Sequence, residues 1–287
     1  MLIVEILKAI LIGIVEGITE WLPVSSTGHM IIIDELVSLK VSDEFLELFL
    51  VVIQLGAIAA VPVYFFNRLN PFSRKKSDIQ RKATWSLWFK VVVGVLPAAI
   101  AGVMLDDFLD EHLYNYTVVS IALIVYGVAF VLIEKLRNNR ADSDEKYHYR
   151  VEYIEDLTYT DALRIGAFQM LSLIPGTSRS GSTIIGGMLT GVSRTVSAEF
   201  SFFMAIPVML GASLLKIYKF IDGGYTVTSD ELILLAVGIL VSFIVSLFII
   251  KFLMDFVKNH TFVPFGIYRI ALGVLVLAFF LMRTNCF

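Results

Sequence analysis

The chain has 287 residues, 57% of them hydrophobic and 17% charged, at a mean hydropathy of +0.80 and a net charge of −3. Soluble domains carry roughly 45 to 50% apolar residues, so this composition excludes a soluble protein and makes the chain an integral membrane protein. The small net charge offers nothing to a nucleic acid. A spanning helix takes about 20 apolar residues, so the length holds about six to eight of them in one domain, 1–287, with no separate soluble part. The single cysteine, Cys286, excludes intrachain disulfides and makes a thiolate metal site implausible.

Residues 1–15 are apolar but hold Glu5 and Lys8 and lead to no small-residue cleavage site, so they read as retained structure and not as a signal peptide. The next stretch, Glu16 to His29 (EGITEWLPVSSTGH), sets carboxylates, hydroxyls and a histidine among Ile, Leu and Val, and 30–39 is apolar again around Asp34 and Glu35. Neither arm can cross a bilayer alone. Irregular polar backbone at that depth is tolerated only inside protein or beside a water-filled cavity. Residues 1–40 therefore predict a re-entrant helical hairpin with VSSTG at its tip and Pro23 ending the first arm. The pattern returns at 162–191, where the tip Pro175 to Thr183 (PGTSRSGST) contains Arg179. Apolar runs at 44–66, 85–105, 117–135, 196–216, 232–252 and 264–283 supply six transmembrane helices. The fold class expected is an all-α polytopic membrane protein with six spans plus two re-entrant helical hairpins.

Lys and Arg number eleven in the loops 67–84, 136–160 and 253–263, against one in 106–116 and 217–231. The first set reads as cytoplasmic, with both termini outside. On this parity the first hairpin enters from outside and the second from the cytoplasm. ILIGIVEGITEWLPVSSTGH also aligns with LRIGAFQMLSLIPGTSRSGS, pairing Gly13 with Gly166, Glu16 with Gln169, Pro23 with Pro175, Ser26 with Ser178 and Gly28 with Gly181 when gaps are allowed. Both hairpins precede spans that contain a proline, Pro62 and Pro207. An inverted-topology repeat follows, about 1–135 and 162–287 around a cytoplasmic linker 136–161, with polar tips meeting near the midplane.

Glu16 and Glu20, four residues apart, share one helix face. In low dielectric the two cannot both ionise freely, so one holds a proton or a cation sits between them. Two glutamates with a phosphate are hard oxygen ligands suited to Mg2+ or Ca2+, and no organic cofactor is implied. Arg179 reads as an anion clamp, a fixed fork of donors for phosphate oxygens beside the N–H groups of a helix start; a purely structural pair with Glu16 or Glu20 is the plainer alternative. Gly176 turns the chain after Pro175, and Ser178, Ser180, Ser182 and Thr183, with Thr27 and Gly28 from the first tip, complete the candidate phosphate-binding set. Gly176 and Gly181 have P-loop spacing, but Ser182 stands where the lysine belongs and no strand precedes it, which excludes nucleotide binding.

His29, three residues after Ser26, is a candidate base, acid or nucleophile. Ser26 is the candidate nucleophile, with His29 or Glu20 taking its proton; attack by His29 itself, or by a water held by the glutamates, are the rival schemes. His112, His148 and His260 read as solvated loop residues. Gln54 suits a packing hydrogen bond, Lys90 a snorkelling end and Arg269 a structural role.

The pair Glu16-x-x-x-Glu20 with PVSSTGH, together with PGTSRSGST and PFGIYRIALG, resembles the bacterial undecaprenyl-diphosphate phosphatase family, also known as the bacitracin-resistance proteins, over nearly the whole chain. Another lipid phosphatase superfamily is similar only at SSTGH, since Ser193-Arg194 is followed by Phe200 where that group has its histidine. The resemblance implies hydrolysis of undecaprenyl diphosphate to the monophosphate, recycling the lipid carrier of cell-wall synthesis. It implies a bacterial cytoplasmic membrane, with a site opening to its extracytoplasmic side. Family catalytic positions carry over onto Glu16, Glu20, Ser26, His29, Ser178, Arg179 and Thr183. The same residues would also suit a polyprenyl-phosphate transporter or flippase that grips the headgroup without cleaving it. A scaffold role leaves two polar intramembrane tips unexplained, and a homo-oligomer stays open.

Overall fold

A computed structural model describes residues 2–113, 115–143 and 149–284. The described residues form helices α1 (Leu2–Thr19), α2 (Ser26–Val37), α3 (Asp43–Tyr64), α4 (Phe66–Leu69), α5 (Asp78–Leu113), α6 (Tyr116–Ser143), α7 (Tyr159–Gln169), α8 (Arg179–Leu189), α9 (Arg194–Asp222), α10 (Ser229–Asn259) and α11 (Val263–Thr284). Among them α3, α5, α6, α9, α10 and α11 are long and apolar enough to cross a membrane, so the chain is a multi-pass membrane protein of six spans. The predicted spans fall inside these helices or within a residue or two of their ends, but several helices run further. Helix α5 takes in Arg81 and Lys82 at one end and 106–113 at the other, α6 continues to Ser143, and α10 to Asn259. Helical hydrogen bonds do not stop at the edge of an apolar run, and Lys, Arg and Glu are good helix formers in water. Loops therefore shrink, and His112 lies on the last turn of α5. The side chains of Asp34, Asp106, Asp107, Asp110, Glu111 and Arg140 lie outside what is described, as do Lys146, His148 and Cys286.

Hydroxyl caps fix where the long helices begin. Ser42 accepts from Phe45 N at 3.2 Å, Ser193 accepts from Val196 N at 3.3 Å, and Thr228 with Glu231 closes a reciprocal capping box at the start of α10. Helix α3 packs on α10 and α9, α1 on α10, and α6 on α11. The α6–α11 crossing is close because both helices present glycine: a Cβ on Gly127 would stand 2.7 Å from Gly266 O. Large apolar side chains such as Val103, Phe248 and Leu240 are more than half exposed, as helix faces turned to lipid should be.

Ion pairs on buried carboxylates tie together the helix ends that adjoin the basic loops. Arg194 grips Glu134, which is 0% exposed and also accepts from Phe262 N at 2.9 Å. Arg68 holds both oxygens of Glu199, at 2.5 and 2.6 Å. Arg150 binds Asp161 and the carbonyl of Thr190. Burial raises the Asp161 carboxyl, but the Arg150 and Thr158 hydrogen bonds outweigh it and hold that carboxyl below its ordinary value.

Candidate functional site

Two helix breaks carry the motifs. Helix α1 stops at Thr19, four residues before Pro23, and not at the proline as predicted. The reason lies across the fold: Ser180 Oγ donates to Glu20 O at 3.2 Å and Leu22 O at 3.4 Å, and Arg269 takes Pro23 O at 3.1 Å. Carbonyls claimed by the other tip are not needed by a continuing helix. The second break runs from Met170 through a 3-10 turn to Thr177, with Gly176 at φ +89°, where a Cβ would meet Val119 O at 2.6 Å. Glycine is required there twice, by conformation and by space.

Each tip re-enters helix through the same device. Ser25 and Ser178 have φ values of 76° and 72°, rare for a residue with a side chain. Ser25 Oγ accepts from Gly28 N at 3.3 Å, and Ser178 Oγ accepts from Gly181 N at 3.2 Å. The predicted pairing of Ser26 with Ser178 is thus displaced by one residue. Ser25 corresponds to Ser178 and Ser26 to Arg179, in the same ungapped register that pairs Gly13 with Gly166, Glu16 with Gln169 and Gly28 with Gly181. Only Pro23 and Pro175 are out of step, by one residue.

Ser26, Glu20 and Arg179 meet. Arg179 Nη2 is 3.0 Å from Glu20 Oε1, and Ser26 Oγ donates to Glu20 Oε2 at 3.2 Å. Arg179 Nη1 donates to Ser201 O at 2.7 Å, and the Trp21 ring lies 5.9 Å from the guanidinium carbon. Thr183 Oγ1 bonds Ser201 Oγ at 2.7 Å and Arg179 O at 2.8 Å, so it steadies the clamp from below. Both members of the ion pair are about nine-tenths buried, so removing either would leave the other's charge uncompensated. Glu16, one turn before Glu20, is 1% exposed and its Oε1 has no hydrogen-bond partner. Gln169, which aligns with Glu16, is likewise 1% exposed with both amide atoms unpartnered. Two buried polar orphans at matching positions ahead of the two helix breaks point to something polar, a water or an ion, that completes each of them.

His29 engages its ring nitrogens elsewhere than at Ser26. Its Nδ1 is 2.7 Å from Ser25 O, a carbonyl with no proton to give, so Nδ1 carries the hydrogen and the neutral ring offers Nε2 to Tyr268 OH at 2.7 Å. A largely apolar cavity of 460 Å3 opens beside this pair, between Val15, Ile18 and Leu22 of the first arm and Phe265 of α11. Arg269, fully buried, donates to Pro23 O, to Gly176 O at 2.9 Å and to Thr177 O at 2.8 Å. One guanidinium thus braces both tips, which gives the structural role read from the sequence a definite form.

Much of the expected phosphate-binding set is engaged in holding the tips. The Gly28 and Gly181 N–H groups go to the serine caps, Ser180 bridges to the first tip, and Ser182 Oγ bonds Arg179 O at 3.1 Å. Trp21, Ser201 and Tyr268 were not singled out from sequence, although Trp21 and Tyr268 stand inside quoted motifs. Ser201, a hydroxyl among Phe200, Phe202 and Phe203, was the legible signal. Lys90, expected to snorkel, is instead 9% exposed.

A family model described as "Bacitracin resistance protein BacA" matches residues 9–275. An undecaprenyl-diphosphatase of Enterococcus faecalis is 53% identical over 281 residues, covering 98% of this chain and 99% of the relative. Proteins of the same name from Limosilactobacillus fermentum, at 53% over 98% and 99% of the two chains, and Streptococcus mutans, at 51% over 99% of each, are similar throughout.

Proposed function

The chain belongs to the bacitracin resistance protein BacA family, and from that premise we propose how its two tips do the work of an undecaprenyl-diphosphatase. It is a hydrolase that removes the terminal phosphate of undecaprenyl diphosphate, leaving the monophosphate carrier, with the bacitracin resistance its family is named for. The observation that carries the mechanism is the contact chain Ser26–Glu20–Arg179. Ser26 Oγ attacks the terminal phosphorus, its proton passes to Glu20 Oε2, and the P–O bond to undecaprenyl phosphate breaks. Water then hydrolyses the phosphoserine. Arg179, freed from Glu20 as that carboxylate is protonated, grips the phosphoryl oxygens with its fork, and helix starts at α2 and α8 add N–H groups for the same anion. The apolar cavity beside His29 takes the first isoprene units, while the Ser25 carbonyl holds His29 in one tautomer and Tyr268 orients its ring.

The orphaned oxygen of Glu16, with Glu20 one turn away, fits a hard divalent cation. The described residues offer no cluster of three or more His, Cys, Asp or Glu, so water and the lipid diphosphate would complete its shell. Mg2+ or Ca2+ bound there supplies positive charge to the diphosphate. Purified protein in detergent should release phosphate from lipid diphosphate, and exhaustive chelation should remove most of that release, restored by Mg2+ or Ca2+. A protein that only carries lipid, the transporter reading, would release none; activity unchanged by chelation would leave the glutamates as proton carriers alone.

We further read α1–α2 and α7–α8 as re-entrant hairpins of an inverted-topology repeat, 1–135 and 162–287 about the linker 136–161, in the bacterial cytoplasmic membrane. The matching Ser25 and Ser178 turns support it. The ion-paired ends beside the basic loops support an opening on the opposite, extracytoplasmic side. Single cysteines in 67–84 should resist impermeant reagents in intact cells; their labelling from outside would reverse the orientation.

A further inference from the structure

A second cavity, of 700 Å3, lies away from the tips, between the loop after α4 and the first turns of α5. Arg68, Lys75, Lys76 and Lys90 line it against a single carboxylate, Glu155. Lys76 is already engaged, donating to Arg68 O at 3.0 Å and Thr84 Oγ1 at 2.7 Å, and Arg68 gives one nitrogen to Glu199. Lys75 is exposed, and its ammonium has no acceptor among the described residues. Lys90 is the telling residue. It sits twelve positions into α5 at 9% exposure, and its ammonium, with three hydrogens to give, makes one hydrogen bond, to Glu155 O at 3.4 Å. A buried cation so poorly partnered costs stability unless an anion meets it. Orientation by positive charge needs basic residues in a loop; it needs neither a cavity nor a lysine buried beneath one.

The surroundings fix the depth. Phe72, Trp85 and Phe89 are 77%, 43% and 58% exposed, Phe72 and Trp85 meet edge to face at 5.6 Å, and Trp88 Nε1 donates to Leu69 O at 2.9 Å. Exposed aromatic rings at the end of a span mark the membrane–water interface, so the basic cavity opens at headgroup level. Basic pockets at that level on the cytoplasmic side suit anionic headgroups. We propose that this cavity is a second anion site, separate from the reaction centre, that holds a phosphate group through Lys75, Lys90 and the open edge of Arg68. Two sources carry that chemistry: the headgroup of an anionic phospholipid in the adjoining leaflet, and free inorganic phosphate.

The test uses the full-length protein in nonionic detergent, with added phosphatidylglycerol, phosphatidylcholine or inorganic phosphate, read by native mass spectrometry and thermal unfolding. Phosphatidylglycerol should be retained and raise Tm, and phosphatidylcholine should do neither. Lys75→Gln and Lys90→Gln should each weaken retention about fivefold without changing turnover in detergent. A Tm rise with inorganic phosphate alone, lost in the same variants, would support the site and identify its ligand as free phosphate. Binding of neither ligand, or equal binding by Lys75→Gln and the unaltered protein, would overturn the proposal. Lys75 is exposed, so its variant gives an answer even if Lys90→Gln fails to fold.

Discussion

Arg179→Lys should turn over lipid diphosphate about 100- to 1,000-fold more slowly than the unaltered protein, although its charge is kept. The guanidinium reaches Ser201 O with one nitrogen and Glu20 with the other, so its plane is set before substrate arrives. An ammonium is a point charge on a flexible stem and cannot span both, nor grip two phosphoryl oxygens in parallel. The loss should fall on kcat more than on KM, because charge builds on those oxygens in the transition state. Near-normal turnover in this variant would reduce Arg179 to the structural ion pair that its contact with Glu20 also allows.

Ser26→Ala should lose turnover on the order of 10^4-fold or more and still bind the lipid. The hydroxyl makes one side-chain hydrogen bond, to Glu20 Oε2, and caps nothing, since Ser25 holds the tip. Removing it should leave Tm almost unchanged. Glu20→Gln should lose turnover as well, and because it also strands the buried Arg179 charge, it should lower Tm. A stable, inactive Ser26→Ala beside a less stable, inactive Glu20→Gln is the pattern expected of a nucleophile and its base. Substantial activity in Ser26→Ala would remove the serine from the mechanism.

The span pattern was legible because apolar runs of about 20 residues leave little choice, and both polar tips stood out because charge and hydroxyls are costly inside such runs. What the chain did not disclose was register. Ser25, Ser26 and Ser178 differ by which one adopts positive φ, and no composition rule reads a backbone angle set by packing against the opposite tip. Sequence proximity likewise left both His29 and Glu20 open as the group that takes the Ser26 proton. The fold turns the imidazole to Ser25 O and Tyr268, and gives Ser26 to Glu20. Arg269 was readable as structural, but its three carbonyl partners come from residues more than ninety positions away, where local pattern carries no information.

Whether a phosphate is ever bonded to the protein decides the central claim, that Ser26 attacks with Glu20 as its base. The unaltered enzyme, mixed with undecaprenyl diphosphate labelled in its terminal phosphate and quenched in acid within a turnover, should carry acid-stable label on a peptide containing Ser26. An acid-labile adduct on His29, or no protein-bound label while phosphate is released, would contradict it.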